Sequence, residues 1–237
     1  MRHIPWHWDE ASIRETSSYC ATQTWLEEAT QSPGLWLLVG PPGVGKTFGA
    51  VSYAAREGIP YICAPSGMGE SVSALARVLC SALGIADGNP IRALHAHCEH
   101  AHVRLIIDEA ARLNRPQLEL IRDLADRYPL SAVLIGTDTL PKKLVYYDTI
   151  VHRIGGVFHV PPLTLTDLRH LLGDTAVAEA TYKRTKGNWR HLARVLERLE
   201  QLDNPTPAGV HKIADEVVLD ADALALKNGG SHAHAER

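Results

Sequence analysis

Cysteine is scarce in this chain of 237 residues: Cys20, Cys63, Cys80 and Cys98 are widely scattered and no two form a CxxC pair. That points to a reduced, cytoplasmic chain rather than a disulfide scaffold. Long hydrophobic runs are missing too. No stretch approaches the roughly 18 consecutive apolar residues of a membrane span. The first residues, Met1-Arg2-His3-Ile4-Pro5-Trp6, lack the apolar run of a signal peptide, so no membrane partner is expected. Nor does charge of one sign dominate. Against 27 Asp and Glu stand 24 Lys and Arg, a formal net charge of -3. This excludes a globally basic nucleic-acid coat while leaving room for a local basic groove. With 18 Gly and 14 Pro the chain is neither collagen-like nor of low complexity. What is present is ordinary globular composition, 45% hydrophobic, long enough for one large domain and a small appendage.

Five short apolar runs rich in β-formers, Leu35–Val39, Ile59–Ala64, Val103–Ile107, Ala132–Ile135 and Val157–Val160, alternate with helix-like segments. Such alternation predicts an α/β fold, a parallel sheet flanked by helices on both faces. Ser71 to Leu83 carries Val72, Leu75, Val78 and Leu79 at helical spacing and stops before Gly84. A helix near Pro116 runs through Arg127, with Leu118, Ile121, Leu124 and Ala125 on one face. After Pro161-Pro162 the strand signal disappears. Thr166-Asp167 is expected to cap a helix through Leu172, Ala176–Lys186 reads as a second, and Asn188 opens a third through Leu202. A last helix is expected over Ala208 to Leu219. The expected division is an α/β nucleotide-binding core with a short N-terminal arm over 1–162, a small helical domain over 163–226, and a disordered polar tail over 227–237.

The sharpest motif is Gly40-Pro41-Pro42-Gly43-Val44-Gly45-Lys46-Thr47, a complete G-x-x-x-x-G-K-T between a strand and a helix. Glycines let the backbone turn so that successive N–H groups converge on phosphate oxygens at a helix N-terminus. Lys46 is then expected on the β- and γ-phosphates of ATP, and Thr47 on Mg2+ through its hydroxyl. Val103-Arg104-Leu105-Ile106-Ile107-Asp108-Glu109 is a buried strand ending in two carboxylates, which packing alone does not explain. Beside a phosphate loop it reads as a Walker B element: Asp108 in the Mg2+ shell, Glu109 polarising the attacking water. The adjacent Asp-Glu pair favours a hydrolase that makes ADP and phosphate over a kinase that must exclude water.

These two elements with a helical tail resemble the AAA+ ATPases. The finer detail is similar to their transposition-regulator branch, the MuB/TniB/TnsC-like proteins, in GPPGVGKT (40–47), LIIDEA (105–110), LIGT (134–137), HRIG (152–155) and TKGNWRHLARVLERL (185–199). The resemblance implies a P-loop NTPase core with a C-terminal helical lid. It implies Thr137 at a sensor position near the γ-phosphate, Arg153 as an arginine finger acting on a neighbouring copy, and Arg190 as a lid arginine on the nucleotide. It further implies a homo-oligomer, ring or helical filament, formed with Mg-ATP on double-stranded DNA. That assembly recruits or activates a transposase and falls apart on hydrolysis. An alternative is a switch ATPase acting on a protein partner without DNA.

The residues themselves say less about DNA. Small residues at Pro65–Ser71, the arginines Arg112 and Arg115, the pair Lys142-Lys143, and Lys183, Arg184 and Lys186 are candidate phosphate contacts. His95, His97, Cys98, His100 and His102 crowd within eight residues at spacings that also suit a solvated helix face. Trp6 and Trp8 stand in a short polar arm.

Overall fold

The computed structural model describes residues 10–64, 71–86, 88–201 and 206–214. In chain order the elements are α1 (Glu10–Arg14), α2 (Ser17–Gln31), β1 (Gly34–Val39), α3 (Lys46–Glu57), β2 (Tyr61–Cys63), α4 (Val72–Ala82), α5 (Pro90–His100) and β3 (Val103–Asp108). A 3-10 turn (Ala110–Arg112) follows, then α6 (Arg115–Arg127), β4 (Leu130–Gly136), α7 (Thr139–Leu144), α8 (Asp148–Val151), β5 (Ile154–His159), α9 (Leu165–Leu172), α10 (Thr175–Thr185) and α11 (Trp189–Gln201). A helical stretch at 207–214 ends the described chain. The described residues form two compact units: those within Ala21–Val160, and those up to Cys20 together with those from Pro161 onward.

In the larger unit the strands lie in the order β2-β3-β4-β1-β5, every pairing parallel. The residues of the central β4 are buried throughout, as expected of a parallel sheet covered on both faces. Successive side chains of one strand feed opposite layers. Leu35, Leu37 and Val39 of β1, Leu105 and Ile107 of β3, and Ala132 and Leu134 of β4 join a core with α4, α5 and α6. Leu38, Ile106, Val133 and Ile135 join the other core, with Leu26 and Ala29 of α2 and Ala50, Tyr53 and Ala54 of α3. Polar pins hold α3 to α2. Gln23 Nε2 donates to the Gly49 carbonyl at 2.8 Å, and the Thr30 and Tyr53 hydroxyls pair at 2.8 Å.

Local signals explain the helix ends. Asn114 and Gln117 form a reciprocal capping box at the start of α6, with Pro116 in its first turn. Leu118, Ile121 and Leu124 of that helix are buried. Two boundaries differ from expectation. The cap of α9 is Thr164, not Thr166; Asp167 closes the box from the third helical position. The fifth strand starts at Ile154, three residues before the expected run, because Gly155 and Gly156 let the Trp36 ring lie against the backbone.

The helical unit has its own core: Leu168, Leu171 and Leu172 of α9, Val177 and Ala178 of α10, Leu192, Val195, Leu196 and Leu199 of α11, then Val210 and Ile213. The sequence assigned the N-terminal segment to the α/β part, whereas the contacts group the described residues up to Cys20 with this unit. Asp167 is the reason. Its carboxylate accepts from the Ser17 N–H (2.8 Å) and Ser17 Oγ (2.7 Å), and from the Thr164 N–H and Oγ1 (both 2.7 Å). The expected last helix is seen at 207–214, and the remainder of that expectation lies outside the described residues. None of the helices among the described residues is long and apolar enough to cross a membrane.

Candidate nucleotide site

The parallel sheet points the C-terminal ends of β1, β3 and β4 to one edge, with β4 between the other two. In such sheets ligands bind outside those ends. Gly40, Pro41, Pro42, Gly43, Val44 and Gly45 follow β1, and α3 begins at Lys46. Gly45 caps α3 with φ 98°, a left-handed conformation that ordinary side chains avoid, and no side chain caps the helix. A helix N-terminus that opens on a glycine after such a loop suits an anion. Val44, 2% exposed, roots the loop in the core. The Lys46 ammonium donates to the Gly40 and Pro41 carbonyls at 2.8 and 2.9 Å, across the loop it closes.

Thr47, on the first turn of α3, donates its hydroxyl to Asp108 Oδ2 at 2.7 Å, joining two motifs 61 residues apart. Asp108 ends β3 and is only 4% exposed. Its other oxygen, Oδ1, accepts the Glu109 N–H at 2.6 Å. A buried carboxylate beside a hydroxyl is the hard-oxygen donor set that Mg2+ takes, so the residues present fit that ion. Glu109 sits at φ 55°, a left-handed position uncommon outside glycine. Its carboxylate is half exposed and 3.9 Å from Arg112 Nε. Arg112 also donates to the Ala64 carbonyl at 3.2 Å.

Thr137 follows β4. Its hydroxyl pairs with that of Thr139 at 2.7 Å, and its carbonyl accepts the Leu140 N–H. Register places Gly136 beside Val39, so Thr137 and Gly40 leave adjacent strands. Arg153 precedes β5 and is exposed; its Nε donates to Asp126 Oδ1 of α6 at 2.8 Å. Arg190 is exposed in the first turn of α11, where its N–H donates to Asn188 Oδ1.

The most consequential group not singled out in the sequence is Tyr61. Its hydroxyl donates to Asp108 Oδ2 at 2.7 Å. Burial first, and then the Asp108 carboxylate, raise the phenol far above its ordinary pKa, so it keeps its proton. Cys63, the register partner of Asp108, is also raised: burial and the Asp108 and Glu109 carboxylates outweigh Arg112. Strand alternation puts Tyr61 and Cys63 on one face of β2, but that Cys63 lies beside Asp108 depends on the strand order and register.

Among the basic candidates, Lys143 is committed elsewhere. It donates to the Ala111 and Leu113 carbonyls at 2.7 and 2.6 Å. Arg115 lies over the Tyr147 ring, 5.5 Å from its centre. Lys142, Lys183 and Lys186 are exposed. Residues 65–70 and both tryptophans of the N-terminal arm lie outside the described residues. The histidines do not converge. His95 pairs with the Tyr128 hydroxyl and His102 with Ser131 Oγ. No group of three metal-ligating side chains occurs among the described residues.

Residues 29–144 match the AAA domain family. A "Potential ATP-binding protein" of Staphylococcus aureus is 28% identical over 139 residues, covering 52% of this chain and 51% of that protein. The chain thus spans about half the length of that curated relative. Among solved structures, a Walker-type ATPase of Pyrococcus abyssi aligns over 93% of this chain and 76% of its own, at 21% identity and a TM-score of 0.62. Cdc6p of Pyrobaculum aerophilum aligns over 92% and 68%, at 19% and 0.58. The Aeropyrum pernix ORC1 protein, solved in complex with DNA, aligns over 86% and 65%, at 17% and 0.55. At these identities the likeness is one of fold. The sheet and its phosphate loop thus build an α/β domain of the P-loop NTPase fold, similar over residues 29–144 to the AAA domain family.

Proposed function

We propose that the chain is a Mg-ATP-dependent ATPase that assembles on duplex DNA and works as a transposition regulator of the MuB/TniB/TnsC type. The observation that carries the nucleotide half is the 2.7 Å bond between Thr47 and Asp108, which brings the phosphate loop and the acidic strand end into one site. In this reading the amides of the loop and the Lys46 ammonium grip the triphosphate. Thr47 and Asp108 hold Mg2+, which when bound neutralises charge on the β- and γ-phosphate oxygens. Glu109 accepts a proton from the attacking water as its oxygen bonds to the γ-phosphorus. The bond from that phosphorus to the β-phosphate oxygen breaks, and ADP departs with the electron pair. Thr137 contacts the γ-phosphate side. Arg190 contributes from the lid.

Arg153 is read as the residue a neighbouring copy supplies, which makes each subunit an incomplete enzyme and ties hydrolysis to assembly. Such fingers stabilise charge on the transferring phosphoryl group and are worth roughly 10³–10⁵ in rate. Repeating a few phosphate contacts in every subunit gives tight, salt-sensitive binding without sequence preference. Lys142 and Arg112 fit that role by exposure; Lys143 does not. The DNA half draws support from the fold shared with an ORC1 protein solved on DNA. The transposase half rests on the motif resemblance alone. Electron microscopy with a non-hydrolysable ATP analogue, with and without duplex DNA, tests the nucleotide and DNA halves. Decorated filaments or rings that need nucleotide and DNA together are expected. Nucleotide binding with no DNA-dependent assembly would refute the DNA reading and favour a protein-directed switch.

A further inference from the structure

Asp108 carries more donors than the nucleotide reading requires. Oδ2 accepts both Thr47 Oγ1 and the Tyr61 hydroxyl, each at 2.7 Å, while Oδ1 accepts the Glu109 N–H. Thr47 and the main-chain bond belong to the two sequence motifs. Tyr61 belongs to neither. It stands on β2, at the edge of the sheet, and its half-buried ring packs against the core shared with α2 and α3. The ring is therefore anchored independently of the phosphate loop, and its hydroxyl reaches the carboxylate from a strand that carries no nucleotide motif.

A carboxylate oxygen offers about two lone-pair directions. With Thr47 and Tyr61 both on Oδ2, the rotation of the Asp108 carboxyl group is fixed from two separate elements. Mg2+ tolerates little deviation from octahedral geometry and keeps several of its waters, so the direction in which a ligating carboxylate faces governs how well the ion is held. Residues that orient a metal ligand typically change metal affinity by about 10–100-fold when removed.

We propose that Tyr61 is a positioning residue for the metal half of Mg-ATP, fixing the Asp108 carboxylate through its hydroxyl so that the ion is met in one orientation. The proposal rests on the nucleotide reading given above and adds to it a group outside both motifs.

The test uses the full chain and Tyr61→Phe, which keeps the ring and deletes the hydroxyl. Binding of a fluorescent ATP analogue is measured first in EDTA and then as MgCl2 is titrated in. The hydroxyl acts on the ion, so affinity in EDTA should stay within twofold of wild type. The half-saturating Mg2+ concentration should rise about tenfold or more. Repeating the titration with Mn2+, which binds N/O sites through the same ligands with less demand on geometry, should give a smaller shift. Identical Mg2+ curves for the two proteins would overturn the proposal. So would a variant whose EDTA affinity and thermal midpoint fall together with no separate Mg2+ shift, because that marks Tyr61 as packing alone. Lys46→Ala run alongside separates the two readings. If wild type binds no better than Lys46→Ala, the nucleotide site itself fails; if wild type but not Lys46→Ala responds to Mg2+ and Tyr61→Phe matches wild type, Tyr61 alone is misassigned.

Discussion

Asp167 offers the most quantitative test of how the helical unit is held. Its carboxylate is 7% exposed and accepts four hydrogen bonds, two from Ser17 and two from Thr164. Ser17 lies 150 residues away in sequence. Replacing Asp167 with Ala frees two hydroxyls, which can rotate toward other partners, and two main-chain N–H groups, which cannot. A buried donor left without an acceptor costs about 1–3 kcal/mol, and loss of a cap typically about 1 kcal/mol. Asp167→Ala should therefore cost roughly 2–4 kcal/mol, and Asp167→Asn, which keeps an acceptor but loses the charge, about half of that. The pH dependence supplies an internal check. Burial alone would raise the Asp167 carboxyl, but the bonds from Ser17 and Thr164 outweigh it and hold the pKa below the ordinary value. A depressed folded-state pKa means that the stabilisation is complete above the unfolded value, near 4, and disappears as pH falls through the folded one. Urea unfolding followed by circular dichroism at pH 7 and at pH 3 measures both effects. The gap between wild type and Asp167→Asn should be open at pH 7 and narrow on acidification. A gap under about 0.5 kcal/mol at pH 7, the size of an ordinary surface change, would refute the reasoning.

Other outcomes follow from single contacts. A Cβ added at Gly187, where φ is +75°, would lie 2.0 Å from the Leu163 carbonyl oxygen. Gly187→Ala should cost the left-handed penalty of about 1–2 kcal/mol plus the Leu163-to-Gly187 hydrogen bond, about 1 kcal/mol, read as a lower unfolding midpoint. Glu109→Gln should bind ATP with near-wild-type affinity while turnover falls by about 10²-fold or more, leaving assemblies that persist; normal turnover would remove Glu109 from the role of base. Mixing Arg153→Ala with Lys46→Ala subunits should restore part of the activity, since each copy supplies what the other lacks. Turnover that stays flat at every mixing ratio would mean that the site is not shared.

The strands were legible wherever burial on both faces leaves continuous apolar runs. Leu35–Val39, an unbroken apolar run, and Val103–Ile107, interrupted only by the half-buried Arg104, were read almost to the residue, because interior parallel strands are dominated by apolar side chains. The second strand is shorter than its run, Tyr61–Cys63 against Ile59–Ala64. The Ile59 N–H is drawn off to the Ala54 carbonyl at the end of α3. At the site, the loop and the acidic strand end were legible because their chemistry requires fixed spacings within one short segment. Tyr61 against Asp108, Arg153 against Asp126 and Lys143 against the Ala111 and Leu113 carbonyls were not. Each joins segments that approach only when the sheet order is known, and a lone tyrosine or lysine has no local pattern to announce its partner. Asp167 is intermediate: it was expected with Thr166 as the cap itself, whereas it closes a box capped by Thr164, and its grip on Ser17 required the fold.

Lys143 carries a mechanical consequence. Its ammonium, drawn below its ordinary pKa by burial, ties α7, which starts two residues after Thr137, to the turn that begins at Glu109. Two short segments that leave different strands are thereby joined by one side chain, so a displacement of α7 would pull on the turn after β3 directly, without passing through the sheet.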